Sequence, residues 1–240
     1  MMGPIEELTK KQLMEGILSE SWEDGSEDYA LAVNQLLSAF LRSESLIEIL
    51  ELTNSDIDSV RCAGAWIAGE QGRQAISIFD ELKELLYSEN KRIRYEIMDC
   101  YLNCASSGGD VLGLVKCVED DVSNNRLKAI SCVRYLWDEQ ISSAYDYALN
   151  HNDQYCHHLY ILKKQCESVL EISEIEEGIN TGDSLCKKFY FIAAMRMREC
   201  TDSMAYLAEI SGDRDIKDFF ERYGSSIPAY FDLIEIRARK

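Results

Sequence analysis

The chain has 240 residues, 43 of them acidic and 25 basic, for a formal charge of −18, with 46% hydrophobic residues, nine cysteines and two prolines. That much apolar material can build a sizeable core, which excludes a disordered chain. The shortage of Lys and Arg argues against a nucleic-acid binder, because neutralising phosphates needs a cationic surplus.

The first residues, MMGPIEELTKKQL, contain no apolar stretch of the signal-peptide kind, and no run of about 18 apolar residues occurs along the chain. The expectation is a cytoplasmic protein with no membrane contact. The charge is uneven: 13 acidic and 3 basic side chains fall in residues 1–60, a net −10, whereas residues 181–240 are balanced at 10 and 10. Within 1–28, read as an acidic N-terminal helix and loop, Glu20, Glu23, Asp24, Glu27 and Asp28 crowd around Trp22 and Tyr29 in a segment that Gly25 and Ser26 mark as a loop. Such a segment reads either as a solvated linker or as a recognition surface, with aromatics for contact area and Glu23, Asp24, Glu27 and Asp28 steering a cationic protein toward it.

From there on, apolar residues recur at steps of three and four, as in Ile93, Ile97, Cys100, Tyr101 and Cys104, the period of a buried helix face. Clusters of capping and turn residues at 88–90, 106–109, 120–124, 180–183 and 211–213 separate these stretches, and both prolines, Pro4 and Pro228, lie near the ends. An all-α chain of about a dozen helices follows, each of roughly 10 to 16 residues. First helices are expected at Leu46–Leu52, Ile78–Leu86 and Val111–Val118. The segments after them, 58–67, 91–100 and 125–132, align with Arg61, Arg94 and Arg126 in register, 33 and 32 residues apart. A helix pair repeating at this spacing cannot bury both faces alone, so successive pairs stack.

Residues 55–72, SDIDSVRCAGAWIAGEQG, carry an Asp, then Val-Arg, then small residues and a closing Gly, and so resemble the second half of a HEAT-like repeat. LysArgIleArgTyrGluIle (91–97) is a looser copy; the third copy keeps the Arg but has Asn125 where Val60 and Ile93 stand. The resemblance implies a right-handed α-solenoid of stacked antiparallel helix pairs with a C-terminal helical cap. It would form a single domain over 1–240, with repeats over 29–165 and further helices over 166–240. The HEAT-like and armadillo-type superfamily serves chiefly as protein-binding scaffolds and occasionally as enzymes.

Positions two, five and nine beyond each Arg share one helix face. They are Ala63, Trp66 and Glu70; Glu96, Asp99 and Asn103; Lys128, Ser131 and Tyr135. Val60, Gly64, Ala65, Ile93, Ile97, Met98, Asn125, Ala129 and Ile130 should pack inward. Because the second helices of such repeats line the concave side, the resemblance makes the outer stripe a candidate partner-binding groove. Trp66 and Tyr135 would be its anchors, Glu70, Glu96 and Asp99 its charges, and Asn103 and Ser131 its further polar contacts.

Catalytic chemistry finds little support. Cys156-His157-His158 cannot converge on one metal ion, because adjacent side chains stand about 100° apart on a helix, so no metal is expected, nor any cofactor. Cys100 and Cys104 read as a core pair, and the odd number of cysteines in helical patterns as free thiols. Phosphate-loop and hydrolase motifs are missing from the sequence. The reading is a non-catalytic scaffold that engages another protein, a basic one, through an acidic groove, one version being an immunity or inhibitor protein that masks a cationic toxin such as a nuclease. The alternative is a lyase or modification enzyme acting on a bound chromophore or polypeptide.

Overall fold

The structure, a computed structural model, describes residues 4–227; Pro228 and the basic residues Arg237, Arg239 and Lys240 lie outside them. The described residues form fourteen α-helices and no strand. The described residues divide into two compact units, with the boundary between Ala105 and Ser106.

Unit one holds α1 (Lys10–Leu18), α2 (Glu27–Phe40), α3 (Ile49–Thr53), α4 (Asp58–Glu70), α5 (Phe79–Leu82) and α6 (Lys91–Cys104). Capping side chains start several of them: Thr9 accepts from the Gln12 amide, Ser26 from Tyr29 and Asn90 from Arg92. Helix α1 packs on α2, α2 on α4, α3 on α4, and α4 lies against α6, so the second helices of successive pairs stack side by side. The expected inward positions Val60, Gly64, Ala65, Ile93, Ile97 and Met98 are all buried.

The small residues of the repeat motif explain this stacking. A Cβ on Gly64 would meet Leu52 Cβ at 2.8 Å and the Thr53 backbone nitrogen at 2.9 Å, so α3 sits directly on the α4 backbone. Gly69 does the same toward α6, where a Cβ would come within 3.1 Å of the Glu96 carbonyl.

The helix expected over Ile78–Leu86 is in fact a four-residue α-helix, α5, between two 3-10 segments, Gly72–Ile78 and Lys83–Tyr87. Its buried side chains, Ala75 with Ile78 and Phe79 with Leu82, stand three apart, the spacing that a three-residue turn places on one line. Phe79 meets the Tyr101 ring edge-on at 5.0 Å, and the Tyr101 hydroxyl donates to the Lys83 carbonyl at 2.8 Å.

Unit two holds α7 (Gly108–Lys116), α8 (Ser123–Arg134), α9 (Asp138–Asn150), α10 (Cys156–Cys166), α11 (Ile172–Thr181), α12 (Ser184–Met195), α13 (Met204–Ile210) and α14 (Arg214–Tyr223). Helix α7 packs on α9, α9 on α10, and both α10 and α11 on α12, while α8 lies against α12 and α14. Asn125, Ala129 and Ile130 are buried as expected.

One ion cluster ties these last three helices. Asp215 on α14 takes a forked pair of hydrogen bonds from Arg126 on α8, at 2.7 and 2.9 Å, and faces the Lys188 ammonium of α12 at 2.7 Å. Burial by itself would raise the Asp215 pKa, but the hydrogen bonds from Arg126 and Lys188 outweigh it and hold the carboxyl below its ordinary value. A pKa depressed by folding adds stability that is present above the unfolded carboxylate value and lost as pH falls through the folded one.

Two outcomes follow for urea unfolding followed by circular dichroism. Gly64→Ala should destabilise by about 1–3 kcal/mol, because crowding against α3 outweighs the roughly 1 kcal/mol gained in helix propensity. Asp215→Asn should cost about 3 kcal/mol at neutral pH by removing the carboxylate that faces the buried Lys188 ammonium and the half-buried Arg126 guanidinium, and should flatten the acid side of the stability profile.

Candidate functional site

A cavity of about 290 Å³ opens in unit one between α2, α4, α6 and the loop before α2. Its floor is made by Tyr29, Val33, Cys62, Ala63 and Trp66, and its mouth by Asp24, Arg92 and Glu96. Each group is placed by local chemistry. Gly25 takes a φ of +83°, a turn open mainly to glycine, and leads into the Ser26 cap of α2. The turn brings Asp24 to Arg92 on α6, 3.2 Å away across 68 residues of sequence. Tyr29 is buried and donates its hydroxyl to the Ser59 carbonyl at 2.9 Å, fixing α2 to the start of α4.

The electrostatics follow from this packing. Burial, then the nearby Asp24 charge, pushes the Tyr29 phenol up to about 12, so it remains a hydrogen-bond donor. Burial pushes the Cys62 thiol up to about 11, which makes it an inert wall of the cavity. At the start of α4, Asp58 is held below the ordinary carboxylate value by hydrogen bonds from Arg61 and from Asn90, the latter at 2.8 Å.

Of the residues singled out from the sequence, Asp24, Trp66 and Glu96 converge on this one cavity, although the loop and the helix stripe were separate surfaces in the sequence reading. Trp66, Glu96, Asp99 and Asn103 are half-buried and Glu70 is exposed. Asn103 donates back to the Asp99 carbonyl at 2.7 Å, a contact within α6. Glu23 is exposed; Glu27 and Asp28 are exposed in the first turn of α2, where carboxylates favour the helix N-terminus. Ser131 and Tyr135 belong to unit two, are half-buried, and do not line this cavity; the Tyr135 ring lies under the Arg134 guanidinium at 4.4 Å. Of the two aromatics of that segment, Tyr29 is buried in α2 and Trp22 is half-buried against Gly16. Arg92, which closes the mouth, stands in the sequence between Lys91 and Arg94, and nothing in that basic run marks it as the partner of Asp24.

Metal-ligating groups also meet, in a combination that adjacency in sequence did not suggest. In unit two His158, Asp183 and Cys186 bring donor atoms within 4.8 Å of one another, while His157 beside them is exposed.

No family model and no curated protein matches the sequence. Among solved structures the chain is similar to the archaeal HEAT-like repeats protein from Thermococcus onnurineus NA1, with 14% identity over 95% of this chain and 99% of that one, at a TM-score of 0.49. It is also similar to an engineered protein, with 15% identity over 95% of this chain and 98% of that one, at a TM-score of 0.42. No helix among the described residues is long and apolar enough to cross a membrane.

The cavity wall makes a prediction about thiols. Six of the nine cysteines are buried; of the three half-buried ones a maleimide at neutral pH should label Cys156 first, because burial raises the Cys166 thiol to about 12 and also raises that of Cys186. Mass spectrometry should find Cys62 modified only after urea is added.

Proposed function

We propose that this protein is a non-catalytic binding scaffold that takes up a basic segment of another protein at the acidic mouth of the cavity in unit one. The observation that carries this reading is the Asp24–Arg92 pair standing beside Trp66 and Glu96. A guanidinium already sits at the mouth, paired with a carboxylate and next to an indole, so the place suits the same group supplied from outside. There it would exchange ion-pair partners and stack on the ring. The net −10 of residues 1–60 supports a cationic partner through long-range attraction. The finer form of the proposal is an inhibitor of a cationic toxin such as a nuclease, in which carboxylates cover a surface that otherwise receives phosphates.

The test is affinity capture with the full chain from its native source, followed by equilibrium and kinetic binding measurements on the recovered protein. A basic partner should bind about tenfold or more weakly in 300 mM than in 50 mM salt. Trp66→Ala combined with Glu96→Lys should weaken binding at least tenfold with helical circular dichroism unchanged. Neutralising Glu23, Asp24, Glu27 and Asp28 together should slow association. Salt-independent binding that neither set of substitutions alters would overturn the reading.

A further inference from the structure

We propose that His158, Asp183 and Cys186 form a binding site for one zinc-class divalent ion in unit two. Three chemically different donors converge there from two helices: the imidazole from the first turn of α10, the carboxylate from the cap of α12 and the thiol from that helix's first turn. The spacing Asp183-x-x-Cys186 follows from capping, since Asp183 Oδ1 accepts from the Cys186 amide at 2.8 Å and so holds both side chains at the same end of α12. His158 is brought over them by the packing of α10 on α12, where its ring contacts Phe189 with centroids 5.3 Å apart.

Two further observations favour a cation. The His158 Nδ1 atom is buried without a hydrogen bond of good geometry, its backbone neighbour being Gln154, so the protein holds the ring only loosely. The neighbouring lysines are turned elsewhere, Lys187 donating to the Ser211 carbonyl at 2.6 Å and Lys188 facing Asp215 at 2.7 Å, and they place no ammonium between the three donors.

The donors are in suitable states. Burial and the neighbouring His157 lower the His158 pKa, which keeps the imidazole neutral. The hydrogen bond from the Cys186 amide lowers that of Asp183 despite some burial, which keeps it ionised. Burial, then the Asp183 charge, raises the Cys186 thiol. An ion would replace the thiol proton, releasing it to solvent as the sulfur becomes a thiolate ligand. One nitrogen, one oxygen and one sulfur suit zinc and its transition-metal neighbours rather than magnesium or calcium. Tetrahedral zinc holds its ligands about 3.5 Å apart, so donors within 4.8 Å need to close by about an ångström. Three protein ligands leave a fourth position for water or for a group from outside.

The test is titration of the chelator-treated, reduced full chain with cobalt(II) chloride, then displacement by zinc chloride. One equivalent should bind with visible bands of tetrahedral cobalt and a near-ultraviolet thiolate charge-transfer band. Cys186→Ser should abolish the charge-transfer band, and Cys186→Ser, His158→Ala and Asp183→Asn should each weaken binding tenfold or more. Asparagine preserves the helix cap, so a loss in Asp183→Asn reports on ligation. Cys156→Ser with Cys166→Ser should leave the spectrum unchanged. A charge-transfer band that survives Cys186→Ser, or no stoichiometric binding by the wild-type chain, would overturn the proposal.

Discussion

Arg94 and Arg126 make the same contact at two places in the chain. Each sits in the first turn of a second helix and bends back onto the turn before it: Arg94 donates to the carbonyls of Ser88 and Glu89 at 2.9 and 3.2 Å, Arg126 to those of Asp120 and Asp121 at 2.9 and 3.3 Å. The acceptors lie six and five residues upstream in both cases. Those carbonyls have no helical partner, so the guanidinium satisfies them and fixes the direction in which the chain enters the helix. In both arginines one guanidinium nitrogen, Nη1, holds the two carbonyls, which leaves Nε and Nη2 for other acceptors, a division a lysine ammonium does not allow. Arg126 spends that reserve on Asp215, which locks α14 to α8.

The first member of the series departs from this pattern. Arg61 turns to Asp58 instead, and Asp58 also accepts from Asn90, 32 residues on, at the cap of α6. The contact therefore moves from within a pair to between pairs, linking the starts of α4 and α6. Together with the close approach at Gly69, it spaces these two helices and so sets the width of the cavity between α2, α4 and α6. The geometry of the candidate site thus depends on repeat residues that never touch its interior.

What could be read from the sequence was whatever a single helix or turn decides. All nine inward positions counted from the arginines are buried, because a helix face is fixed by a period of 3.6. The turns at 88–90 and 211–213 fall where their capping residues stand. The 3-10 path through 72–87 was hidden, since steps of three and four differ little over so short a stretch. The cavity was hidden for another reason: Asp24 meets Arg92 only through folding, over a separation that no local pattern encodes. The same holds for Asp215 with Arg126 and for His158 with Asp183, where one partner's position says nothing about the other's.

The acidity of the first sixty residues is also less available than its total suggests. Glu27 and Asp28 serve the N-terminus of α2, Asp58 is held by Arg61 and Asn90, and Asp24 is paired with Arg92. A partner's arginine entering the mouth would therefore exchange one ion pair for another at Asp24 and gain little there, since such exposed pairs contribute less than about 1 kcal/mol. The gain in affinity must come from covering Trp66 and the apolar floor, while the net negative charge of residues 1–60 supplies a field acting over roughly a Debye length of 8–10 Å. Salt should then act chiefly on the rate of association and the indole chiefly on the rate of dissociation. That division separates a partner seated in the cavity from one held by surface charge alone, for which both salt and charge reversal would act on association and Trp66 would be silent.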